Sequence, residues 1–153
     1  MKTYITEYYK GLFGPHTPNS FSMDETLRHD IPQMPEDENE GLTAPFSEEV
    51  KLVVFDMEHN KAPGPDGFPA KFYQFFWQVV KPDLMTLFNE FPVGRLPIHS
   101  LNFGVIMLLP KIADAARIQQ YRPICLLNVS FNIFTKVLNN RILKVADKMI
   151  GPS

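Results

Sequence analysis

Three features of the 153-residue sequence predict an α+β fold, mostly α, with one long-looped antiparallel β-hairpin. Apolar residues recur at helical spacing in several separate stretches. Two short apolar runs, 103–110 and 121–127, flank a polar segment of about ten residues, the pattern of a hairpin with a long loop. Pro and Gly stand at the joints between these stretches. Apolar residues make up 44% of the chain and include 13 Phe, so the core should be rich in aromatic rings.

The elements follow in order. Tyr4, Ile5, Tyr8, Tyr9, Leu12 and Phe13 predict a short N-terminal helix. From Gly14 to Pro45 the periodicity is lost. Pro15, Pro18, Pro32, Pro35 and Pro45 interrupt the chain, and residues 36–40 form an acidic run. Such a stretch buries too little apolar surface to offset its chain entropy, so residues 1–45 read as an acidic, Pro-rich linker, largely irregular beyond the short helix. Ser47 fits the N-cap of the next helix, with Glu48 and Glu49 in its first turn. Val50, Val53, Val54 and Met57 give that helix one apolar face, which ends near His59.

The stretch Asn60-Lys61-Ala62-Pro63-Gly64-Pro65-Asp66-Gly67 is the pivot of the chain. Two prolines fix φ, two glycines free it, and Asp-Gly favours a turn, so a rigid, sharply turned loop is expected. It serves either as a tight connector between helices or as a wall of a binding groove. Pro69 suits the first turn of the helix beyond it. Phe72, Tyr73, Phe75, Phe76, Trp77, Val79 and Val80 make that helix apolar all round, which predicts burial on several sides. Lys81-Pro82 should break or kink it. Leu84, Leu87, Phe88 and Phe91 continue a helical face that Pro92, Gly94 and Pro97 end.

The run from Phe103 to Pro110 predicts a buried strand, Lys111 to Gln120 an exposed loop, and Tyr121 to Leu127 the partner strand. Ser130 is a candidate cap for the last helix. Its apolar stripe is Ile133, Phe134, Val137, Leu138, Ile142, Val145 and Met149. Lys136, Arg141, Lys144 and Lys148 fall on its polar side, and Gly151-Pro152 stops it.

The formal charge of −2 conceals an asymmetry. Residues 1–59 hold 4 Lys and Arg against 12 Asp and Glu, and residues 60–153 hold 11 against 5. The basic C-terminal part suits a polyanion, or is simply a solvated basic face. The single cysteine, Cys125, allows no internal disulfide. The N-terminus has no apolar signal region, and no run reaches the ~20 apolar residues that span a membrane. His16, His29, His59 and His99 are scattered, without metal-ligand spacing. No phosphate-binding Gly-Lys-Ser/Thr loop and no Gly-x-Ser-x-Gly elbow occur. Asp66, Asp83, Glu90, Asp114 and Asp147 include no strand-borne pair of the sort two-metal chemistry requires, so no catalytic residue is assigned.

What remains is Lys111 and Arg122, at the two ends that a hairpin brings together. An ammonium beside a forked guanidinium suits a triphosphate or a nucleic-acid backbone, unless both are solvated strand-end charges. Arg117 is a third candidate, and Tyr121 could stack on a base or fill the core.

The pivot residues, followed by Leu108-Leu109-Pro110-Lys111, Tyr121-Arg122-Pro123-Ile124, Leu127-Asn128 and Lys136…Asn140-Arg141, resemble the opening blocks of a non-LTR (LINE-type) retrotransposon reverse transcriptase. The wording is closest to plant copies. The resemblance covers 44–153 closely, and Tyr8-Tyr9…Leu12-Phe13-Gly14 looks like the family's connector between endonuclease and polymerase. It implies that residues 46–153 form part of the fingers of a right-hand polymerase. Lys111 and Arg122 would then contact the incoming nucleotide, and the pivot loop and the helix after it would support the template path. It implies an RNA template, a DNA primer, dNTP, a nuclear location and Mg²⁺ held by palm aspartates. Those aspartates are not in this chain, which ends where the family continues toward the palm and thumb. The chain alone is therefore expected to be inactive as a polymerase. The alternatives are a residual RNA- or nucleotide-binding module and a non-functional remnant of a decayed element. Lys71 stands where the family usually has Glu, Asn132 where it usually has Lys, and Pro92 in a helix end usually free of proline.

Overall fold

The computed structural model describes residues 2–14 and 34–149. The Pro-rich stretch 15–33, with His16 and His29, lies outside the described residues, as do the Gly151-Pro152 stop and the side chain of Met149. The described residues fall into two compact units, one of residues 34–109 and 123–149 and one of residues 2–14 and 110–122.

In the larger unit, helices α2 (Glu36–Thr43), α3 (Glu48–Asp56), α4 (Ala70–Phe75), α5 (Trp77–Glu90) and α6 (Ile98–Leu101) precede strand β1 (Gly104–Pro110). Strand β2 (Tyr121–Leu127) pairs with β1 in an antiparallel ribbon, and the long helix α7 (Val129–Met149) follows. The predicted α+β class is the one observed. The core forms where α3, α4, α5 and α7 meet, and Phe88, Ile133, Val50, Val54 and Val137 are its most enclosed side chains. Their helical spacing explains the assembly, since each of these helices offers one apolar stripe to the others.

Several expectations are corrected. The acidic run is not irregular: residues 36–43 form α2, which packs on α7. Glu36, Asp37 and Glu38 sit in its first turn, where the helix dipole favours negative charge. Ser47 occupies the N-cap of α3 but makes no side-chain cap; its carbonyl accepts from Val50 N–H at 3.2 Å. Lys81-Pro82 does not break α5, which runs through Pro82. The break falls earlier, at Phe76 (φ −97°, ψ 26°), and buried Tyr73, Trp77, Leu84 and Phe88 hold both pieces to the core. The aromatic helix is therefore not buried on several sides. Phe75, Phe76 and Val79 lie off that stripe and are 79%, 44% and 71% exposed.

Beyond α5, Gly94 adopts φ 68°. Gly94 N–H donates to Phe91 O and Arg95 N–H to Glu90 O, each at 3.0 Å, which is a Schellman closure with glycine in the left-handed position.

The strands form where expected but are not buried. Val105, Ile106, Met107 and Leu109 are each at least 44% exposed. A two-stranded ribbon offers two faces, and neither is covered among the described residues. Lys111 N–H donates to Gln120 O at 2.8 Å. Counting back from that pair sets Gly104 opposite Leu127, in agreement with how closely Gly104 approaches the Leu127 side chain. In this register Pro110 and Pro123 both fall where the backbone N points away from the partner strand, so neither removes a ladder bond.

Helix α7 begins at Val129, so Asn128 rather than Ser130 flanks its start, and the Asn128 carbonyl accepts from Phe131 and Asn132 N–H. Ile133, Phe134, Val137 and Val145 are buried as expected, whereas Ile142 is 55% exposed. Arg141, expected on the polar side, is buried. Its guanidinium donates to the Glu49 carboxylate, to Leu42 O at 2.8 Å, Ala44 O at 2.6 Å and Pro45 O at 3.2 Å, and lies 3.9 Å from the centre of the Phe46 ring. These bonds fix the chain between α2 and α3 against α7.

In the smaller unit, α1 (Lys2–Phe13) is the predicted N-terminal helix. Tyr9 is its buried residue, with Tyr8 edge-on at 5.1 Å and Phe13 stacked at 5.8 Å. Residues 110–122 form the hairpin tip, with a 3₁₀ turn at Ile118–Gln120.

Candidate nucleic-acid interface

The pivot loop connects α3 to α4 as a folded turn. Gly67 N–H donates to Gly64 O at 3.1 Å, and Gly67 takes φ 77°, a left-handed value that favours glycine. The Asp66 carboxylate accepts from Phe68 N–H at 3.0 Å, an Asx turn. Asp66 N–H in turn donates to the Asn128 side chain at 3.2 Å. Gly64 lies so close to the β2–α7 junction that a Cβ there would meet Asn128 N at 2.4 Å and Leu127 C and O at 2.5 Å. The loop is thus clamped to the start of α7. Asn60, Lys61, Pro65, Asp66 and Gly67 are exposed, and Pro63 and Gly64 are half-buried.

This loop also walls a groove. A cleft of about 290 Å³ lies between Lys61, Ala62, Asp56, Val129, Asn132 and Lys136. Its lysines are already matched. Lys136 Nζ lies 2.6 Å from Asp56, and Lys61 Nζ 3.3 Å from Glu58. The Lys136 hydrogen bond and charge hold the Asp56 carboxyl below its ordinary value. The cleft therefore presents no net cationic field to a polyanion.

Tyr73, on α4, is buried in the core and feels the charge of Asp66 in the loop. Burial pushes its phenol above the ordinary value of 10.0, the negative charge of Asp66 adds to this, and a hydrogen bond with Ser130 opposes it. A raised phenol contributes stability that is full below the unfolded value near 10.0 and is lost as pH rises through the folded value. Urea midpoints should fall as pH climbs past 10.0, and Tyr73→Phe should lessen that fall. An equal fall in the variant would assign it to other groups.

The hairpin tip carries charge without compensation. Lys111, Arg117 and Arg122 are exposed and make no ion pair among the described residues, and Asp114 is the tip's one acidic residue. Lys111 Nζ donates to Gln119 O at 2.8 Å, which holds the ammonium in place without neutralising it. The tip is internally braced. The Gln120 side chain accepts from Ala116 N–H at 2.8 Å and Arg117 N–H at 2.9 Å, and Tyr121 O–H donates to Ala115 O at 2.9 Å. That bond anchors half-buried Tyr121 to the tip. Because side chains alternate along a strand, Lys111 and Arg122 project from the same face of the ribbon at diagonal positions.

Among the described residues, no three His, Cys, Asp or Glu side chains gather to hold a metal ion. No helix among the described residues is long and apolar enough to cross a membrane.

Sequence reading missed one other polar cluster. Gln74 Nε2 donates to Val54 O at 3.0 Å and Met57 O at 2.9 Å, and Gln74 Oε1 lies 3.1 Å from His59 Nδ1. The signal was a single Gln inside the run Phe72-Tyr73-Gln74-Phe75-Phe76.

No protein-family profile matches the chain. The chain is 35% identical over 147 residues, 95% of its length, to the "Transposon TX1 uncharacterized 149 kDa protein" of Xenopus laevis. It spans 11% of that protein's length. Over nearly all of its sequence, then, the chain is similar to a transposon protein.

Proposed function

We propose that the chain is part of the RNA-directed DNA polymerase of a LINE-type retrotransposon, with the wording of its sequence blocks closest to plant copies, and that it contributes fingers elements to that enzyme. The transposon match and the ordered sequence blocks support this reading. The observation that carries it is the braced hairpin tip, which sets Lys111 and Arg122 on one face with their charge uncompensated. In the whole enzyme these side chains would contact the phosphates of the incoming nucleotide or of the RNA–DNA strands, in the nucleus. Mg²⁺ and the chemistry of nucleotidyl transfer would be supplied by palm aspartates outside this chain. By itself the chain would bind a polyanion without extending a primer; primer extension by the purified chain would overturn that part.

The binding reading is tested by fluorescence anisotropy with labelled single-stranded RNA across a salt series. Lys111→Ala combined with Arg122→Ala should weaken binding and make the log–log salt slope shallower by roughly 1.4, at about 0.7 for each phosphate that is no longer neutralised. Affinity and slope unchanged in the double variant would remove these residues from the interface. A chain that binds no RNA even at low salt would favour a non-functional remnant.

A further inference from the structure

We propose that the exposed pocket formed by His59, Lys71, Gln74 and Phe75 is a single-strand nucleic-acid contact, in which a base stacks on Phe75 and Lys71 takes the adjoining phosphate. It rests on the reading of the partner as nucleic acid, but it is a second site, on α4 rather than on the hairpin. The four residues surround an open depression of about 400 Å³. Phe75 is 79% exposed, more than any other large apolar side chain described, and Phe76 packs against it at 4.9 Å with the rings 76° apart. The Phe75 ring is therefore supported from one side and open to a ligand.

The polar groups beside the ring are ordered. Gln74 directs its amide N–H bonds to two backbone carbonyls at the end of α3, so the atom facing His59 is its carbonyl oxygen. An oxygen can only accept, so His59 Nδ1 is the donor of this pair, and in the neutral tautomer this leaves Nε2 of the exposed ring as an acceptor. Lys71 lies one turn before Phe75, at i and i+4 on the same helix face, and has no carboxylate partner among the described residues. An open π-face, a bare ring acceptor and an unpaired ammonium fit a flat ligand that carries an amino group and an anionic link. A nucleotide of single-stranded RNA or DNA with an exocyclic amine has all three. An apolar protein partner would leave the ammonium and the imidazole acceptor unmatched, which disfavours reading the patch as a protein contact.

The test uses the full chain and a fluorescein-labelled oligocytidylate, with an RNA duplex as control. Phe75→Ala should weaken single-strand binding by about ten- to a hundred-fold, the usual range for one stacked base, while leaving duplex binding unchanged. Phe75→Trp should preserve it. Lys71→Ala should make the salt slope shallower by about 0.7, the value for one phosphate. The high exposure of both side chains keeps the fold out of these comparisons. If the wild type binds and the Lys111/Arg122 double variant weakens it but Phe75→Ala does not, the pocket is overturned and the hairpin reading stands. If Phe75→Ala instead alters self-association in sedimentation with RNA affinity unchanged, the patch is a protein contact. A wild type that binds no single strand overturns both readings.

Discussion

Arg141→Met is expected to destabilise the chain by about 3–5 kcal/mol, the cost of breaking a buried pair from one side. The variant would strand the Glu49 carboxylate, whose side chain is 29% exposed, and three backbone carbonyls that Arg141 now satisfies. Arg141→Lys should recover little, because one ammonium cannot reproduce a planar fork that serves Glu49 and three carbonyls together. Urea denaturation gives the reading: a lower midpoint at an unchanged slope marks a loss of stability. Arg141→Met combined with Glu49→Gln should cost less than the two changes summed, since the second removes the charge that the first leaves unpaired. A loss below about 1 kcal/mol for Arg141→Met, the scale of an exposed pair, would show that the guanidinium is solvated instead of buried.

The two glycines of the pivot loop should respond differently to the same substitution. Gly64→Ala places a methyl group 2.4–2.5 Å from backbone atoms of Leu127 and Asn128, which cannot rotate away. Overpacking of this kind costs about 1–3 kcal/mol or more, and the rigidity of the neighbours puts the expectation at the upper end. Gly67→Ala meets nothing within 4 Å, but it must hold φ 77°. Its cost is the left-handed penalty alone, about 1–2 kcal/mol, and Gly67→Asn should recover part of it. Equal losses at the two positions would mean that the loop is not seated on the β2–α7 junction.

The helices are legible because their stripes repeat near 3.6 residues. Val50, Val53 and Val54, or Ile133 and Val137, name their own faces. Arg141 is misread when a charge is assigned to solvent by type. Its position says otherwise: 137, 141 and 145 are four residues apart, so Arg141 sits on the stripe itself. The ribbon is located by its sequence but wrongly buried, since a continuous apolar run has no polar alternation to show which face meets water. Of the candidate site, the placing of Lys111 and Arg122 at the paired ends of the two strands follows from hairpin logic alone. The His59–Gln74 pair spans the pivot loop, so the lone Gln in the aromatic run marks one partner and nothing local marks the other.

The placement of Pro110 and Pro123 has a consequence for association. Among the described residues the ribbon is exposed, apolar and unpaired along both margins, which makes it a template for unwanted strand addition and aggregation. Pro123 falls in the middle of the outward row of β2, where an added strand would look for a donor and find none. Pro110 falls at the end of β1, which leaves the outward N–H groups of Ile106 and Leu108 consecutive. The ribbon is therefore guarded along β2 and open along β1, so an incoming strand has one margin to choose.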